Sequence, residues 1–71
     1  MKLPEFLVEY SLKHNPSMFY SGGEFFFRIF AEDVANALIN RDGNETLSIV
    51  RVVKKKGSCF QHLIVHNLLT T

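Results

Sequence analysis

Phe25-Phe26-Phe27-Arg28-Ile29-Phe30 runs without a linker into Ala31-Glu32-Asp33-Val34-Ala35-Asn36-Ala37-Leu38, and this join limits the fold more than any other stretch. Five of the first six residues are Phe or Ile, which fit a pleated surface, and Gly22-Gly23 ahead of them supplies a turn or bulge. In an extended chain, neighbouring side chains point to opposite faces. Phe25, Phe27, Ile29 and Ala31 would then share one face, and Phe26, Arg28 and Phe30 the other. Both faces of such a strand need cover.

The stretch that follows has helical spacing. Val34, Ala37, Leu38 and Arg41 fall at i, i+3, i+4 and i+7, a stripe on one side of a helix in which Arg41 lays its stem along the core edge. Glu32 and Asp33 would sit in the first turn and Arg41 in the last, each where the helix dipole favours its charge. Asp42-Gly43 ends the element, Gly being suited to a left-handed cap. A helix of about ten residues needs packing to persist.

Size sets how hard each apolar face must work. A chain of 71 residues is a single domain, 1–71, that buries only roughly 60% of its unfolded surface, while ordering it opposes folding by on the order of 100 kcal/mol. Eight Lys and Arg against seven Asp and Glu leave a net charge of +1, so the whole-molecule field does not by itself point to nucleic acid or membrane. One cysteine, Cys59, excludes an internal disulfide. With no signal peptide and no membrane span in view, the expected location is a reducing cytoplasm. The sequon Asn44-Glu45-Thr46 then reads as an ordinary loop.

Elsewhere the pattern is mostly β. Phe6, Val8, Tyr10 and Leu12 alternate with Glu5, Leu7, Glu9, Ser11 and Lys13, a strand with one buried and one wet side. His14-Asn15-Pro16-Ser17 is turn chemistry, and a hairpin turning there with a glycine bulge in its second strand is preferred over a loop ending at Gly22-Gly23. Leu47 to Lys54 reads as a further strand, and Lys54-Lys55-Lys56-Gly57-Ser58 as an exposed hairpin tip. Cys59 to Leu69 alternates as a strand would, although Ser58 and Gln61 form a capping-box pair and leave a helical tail as the rival reading. The expected fold is α+β, ββαββ: one short helix on one face of a four-stranded, mostly antiparallel sheet. A right-handed crossover makes the second and third strands parallel, with the first between them.

Catalysis finds little to work with. No nucleophile elbow, phosphate-cradling glycine loop or paired-carboxylate motif occurs, so neither catalytic residues nor a cofactor are expected, and the protein is read as no enzyme. Cys59, His62 and His66 would line one side of a helix as metal ligands, with His14 as a fourth. On a strand His62 and His66 lie roughly 13 Å apart, too far to share an ion, and with the tail read as a strand no metal site is expected.

Two kinds of partner remain. Arg51 and Lys54, Lys55 and Lys56, with Phe60 and a face bearing Phe26, Arg28 and Phe30, could form a stacking platform for single-stranded nucleic acid. Balanced charge argues instead that the lysines solvate a turn and guard a sheet edge. Phe26 and Phe30, with β-branched residues of the third strand, would leave the helix-free sheet face apolar, the mark of a protein interface. A homodimer, sheet face to sheet face, is the leading expectation.

Phe27-Arg28-Ile29-Phe30-Ala31-Glu32-Asp33, continued by Val34, Ala37 and Ile49-Val50-Arg51-Val52, resembles small phage-encoded inhibitors built as strand, strand, helix, strand, among them the phage inhibitor of bacterial RNA polymerase and compact anti-CRISPR proteins. The likeness spans residues 24–53. It implies a small domain that docks on a larger host protein or nucleoprotein complex and occludes it. Docking is then assigned to Arg28, Arg51, Lys54, Lys55 and Lys56, with Phe26 and Phe30 as apolar anchors.

Overall fold

The computed structural model describes residues 3–56 and 61–70 and has the expected α+β, ββαββ layout. The elements are β1 (Phe6–Leu12), β2 (Asn15–Phe25), α1 (Arg28–Asp42), β3 (Leu47–Lys56) and β4 (Gln61–Thr70). One sheet runs β2-β1-β3-β4 with every neighbouring pair antiparallel. β2 and β3 flank β1 and are therefore parallel to each other, as a crossover through α1 requires. The tail is a strand.

The core lies between α1 and the sheet. Val8, Val50 and Val52 are fully buried against Ala31 and Ala35, with Leu47 closing one end and Phe6, Tyr10, Leu12 and Phe25 packed around them. Ala31 and Ala35 are small, so the helix axis comes close to the strands. Gly22 opposite adds to that close approach: a Cβ there would stand 2.9 Å from Val8 Cγ1 and 3.4 Å from Leu38 Cδ1. It lies where the β1–β2 register skips a residue between Gly23 and Ser21, the bulge expected from the glycine pair.

The Phe run is where expectation and structure part. β2 stops at Phe25, Phe27 is the extended residue before the helix (φ −124°, ψ 141°), and Arg28, Ile29 and Phe30 are helical. Phe26, Arg28 and Phe30 therefore do not lie on a sheet face. The reason is β1. Continuing β2 past Phe25, which pairs with Phe6, would set it against Glu5 and then Pro4, which has no N–H for the ladder. Coiling instead puts Ala31 one turn before Ala35 on the buried side, and Arg28 and Glu32 at i, i+4, where they pair at 3.5 Å.

This earlier start gives 15 residues rather than about ten and moves the buried stripe. Ala31 and Ala35 are buried, Val34, Leu38 and Ile39 half-buried, while Ala37 and Arg41 of the expected stripe are exposed. Glu32 and Asp33 fall in the second turn, leaving the first without acidic residues. Arg41 does stand in the last turn, and Gly43 caps it in the left-handed region (φ 62°) with its N–H donated to the Ile39 carbonyl at 3.2 Å. β3 also runs further than expected, so Lys54, Lys55 and Lys56 belong to the strand rather than to a hairpin tip. Gly57, Ser58, Cys59 and Phe60 lie outside the described residues.

Both sheet edges are irregular. β2 crosses from Phe19 to Asn15 while β1 advances only from Ser11 to Leu12, and β4 skips a position between Asn67 and Leu69 and another between Ile64 and His66. Such bulges discourage edge-to-edge pairing.

Candidate functional site

Cross-strand register sorts the sheet side chains. Phe6, Val8, Tyr10 and Leu12 face α1, as their alternation predicts, together with Val50, Val52 and Lys54. Leu7, Glu9 and Ser11 face the other way beside Val53, Arg51 and Ile49. Along β1 and β3 that second face is neither wet nor an open apolar surface. Leu7 and Val53, cross-strand neighbours, are buried, and so is Ser11.

Polar groups cover part of it. Arg51 reaches across the strands to Glu9, Nη2 and Nε lying 3.0 and 3.1 Å from Oε1, and its guanidinium stacks 3.7 Å from the Phe19 ring centre. Lys55 pairs with Glu24 at 2.9 Å. Among the described residues this face therefore shows no apolar patch for a second copy to bury. Arg51 and Lys55, expected to dock a partner, are each occupied within the chain.

The exposed apolar surface is at the corner where β2 gives way to α1. Phe26, Phe27, Ile29 and Phe30 are 46, 58, 63 and 54% exposed. Phe27 leaves the sheet extended and Phe30 sits one turn into the helix, which brings their rings edge-on at 5.9 Å. Between them opens a cavity of about 450 Å³ lined by Phe25, Phe26, Phe27, Phe30 and Val34, together with Glu24 and Asp33. Using a typical area of about 150–250 Å² for a large side chain, the four exposed residues together present on the order of 500 Å² of apolar surface. That is large for a molecule whose whole surface is 4930 Å².

Three of the expected docking residues, Phe26, Phe30 and Arg28, thus come together at this corner. Lys54 leans over the Phe6 ring, 5.9 Å from its centre, on the helix side of the sheet. Phe6 pairs with both Lys54 and Phe25, so one cross-strand row leads from Lys54 to the cavity. Lys56 ends β3 opposite Gln61. Arg51 and Lys55 point away to the other face.

Phe27, Ile29 and Asp33 are members of the site that sequence reasoning passed over: Phe27 and Ile29 because a period of two was carried past Phe25 and assigned them to the other strand face, and Asp33 because it was read only as a charge in the first helical turn. The Arg28–Glu32 and Ala31–Ala35 spacings carried the helical signal, and Pro4 carried the limit on β2.

At the far end of α1, Asp42 ties the helix to β3. Its carboxylate accepts the backbone N–H groups of Thr46 and Leu47 at 3.0 Å each, which holds its pKa below the ordinary value of 3.8, the Leu47 N–H contributing most. Lys13 and Thr46 add a backbone bond of 2.9 Å beside it.

No group of three or more His, Cys, Asp and Glu side chains could hold a metal among the described residues, of which Cys59 is not one. No described helix is long and apolar enough to cross a membrane. No protein-family description matches the chain, and no curated protein or solved structure is significantly similar to it.

Proposed function

We propose that this protein is a non-enzymatic protein-binding module, an inhibitor of the phage or mobile-element kind that docks on a larger host nucleic-acid-handling complex and occludes it. The observation that carries the binding reading is the corner itself: Phe26, Phe27 and Phe30 stand about half exposed around one cavity, with Ile29 exposed beside them in sequence. Leaving them in water forgoes burial that a marginal 71-residue domain could use. Aromatic side chains clustered round a pocket are the usual centre of an interface. The occlusion of a host complex follows from the phage-inhibitor resemblance over residues 24–53.

Single-stranded nucleic acid finds less support. Arg51 and Lys55 are ion-paired on the face opposite the helix, away from the Phe cluster, so cations and stacking rings do not form one platform. Self-association through the helix-free face likewise lacks an exposed apolar patch among the described residues.

Capture from a host lysate with the tagged protein, compared with a Phe26→Ser/Phe30→Ser double variant of unchanged circular dichroism, tests the reading. Loss of the captured species in the variant is expected. Undiminished capture overturns the assignment of the corner.

A further inference from the structure

We infer that the corner cavity receives a long cationic side chain from the partner, arginine above all; this rests on the protein-binding reading just given. The cavity has two kinds of wall. Phe25, Phe26, Phe27, Phe30 and Val34 are apolar and mostly aromatic, while the two acidic residues of the lining are Asp33 and Glu24, the carboxylate of Glu24 being turned to Lys55 on the opposite face of the sheet.

A purely apolar guest would satisfy the rings and leave the Asp33 carboxylate without a partner. A small cation would do the reverse. Arginine suits both, since its methylene stem packs on apolar walls, its flat guanidinium stacks on ring faces, and its N–H fork fits a carboxylate.

Asp33 is the acceptor left for it. Glu24 already holds the Lys55 ammonium at 2.9 Å through Oε1, and Arg28 is turned to Glu32 at 3.5 Å. Asp33 is exposed in the second turn of α1 and makes no ion pair with any described residue. A partner charge set beside Asp33 is therefore favourable when it is positive.

The test uses the full chain and two peptides, acetyl-Ser-Leu-Arg-Leu-Ser-amide and the same peptide with citrulline, which keeps the shape of arginine and removes its charge. Binding is followed by the amide resonances of residues 24–34 during titration. The arginine peptide is expected to shift those amides and to bind about tenfold tighter than the citrulline peptide, from an exposed charge pair and a ring contact together. Asp33→Asn should narrow the difference between the two peptides to about threefold, the ring contact alone remaining, with the spectrum otherwise retained.

Equal binding of both peptides at the corner overturns the cationic preference and leaves the protein-binding reading standing. So does an absence of shifts at 24–34, provided that the Phe26→Ser/Phe30→Ser variant still loses lysate capture. If capture survives that double substitution, the reading beneath falls too.

Discussion

Arg51 stacks its guanidinium 3.7 Å from the centre of the Phe19 ring, across the face of the sheet that the helix leaves open. Glu9, between them in the strand order, binds the same guanidinium at 3.0 Å. An arginine at strand positions facing solvent would be a candidate for docking. Here it spans three strands and covers part of the second face of a domain too small to place a layer there.

Removing Glu9 should therefore cost stability. Glu9→Ala leaves a guanidinium whose side chain is only 22% exposed without its carboxylate, and urea denaturation should show a loss of about 1–3 kcal/mol. A double-mutant cycle with Arg51→Ala should show the two effects to be less than additive. Full additivity would mean the pair is incidental.

Ser11 offers the opposite sign. Its hydroxyl is buried and has no hydrogen-bond partner among the described residues, so its desolvation is uncompensated. Ser11→Ala should raise stability by about 1 kcal/mol, read as a higher urea midpoint at unchanged slope.

Gly22 is required by space. A methyl group there would lie 2.9 Å from Cγ1 of the fully buried, β-branched Val8, which has no freedom to withdraw. Gly22→Ala should destabilise by about 1–3 kcal/mol through overpacking, outweighing the roughly 0.4–1 kcal/mol that a stiffer unfolded chain returns. Thermal melting decides between the two.

Asp42 sets a pH dependence. Its folded pKa lies below 3.8, so its contribution is fully present above about that pH and is lost as pH falls through the lower folded value. Asp42→Asn lacks this titration. The stability difference between wild type and Asp42→Asn should be constant above about pH 5 and shrink toward pH 2 in melts across that range.

The phenylalanine corner should be separable from folding. Phe26→Ser is expected to change stability by no more than about 0.5 kcal/mol, since the side chain is 46% exposed. Phe30→Ser should cost about 0.5–1.5 kcal/mol, the edge-on contact with Phe27 being lost. Both should weaken partner capture far more than they weaken the fold.

Local chemistry alone determined a good deal about this chain. The alternation in Phe6 to Leu12, the β-branched run from Leu47, the glycine bulge, the Gly43 cap and the ββαββ order all follow from side-chain period and backbone permissiveness, which act over a few residues. Where the Phe run would bend was decided by its neighbour: β1 could pair with β2 only as far as Phe25, and the packing of Ala31 and Ala35 then drew Arg28–Phe30 into the helix against their β-propensity. The same global arrangement chose the exposed surface. It folded Glu9, Arg51 and Phe19 over one face and left Phe26, Phe27 and Phe30 at a corner, because cross-strand register brings together residues far apart in the chain, such as Glu9 and Arg51 at 42 positions.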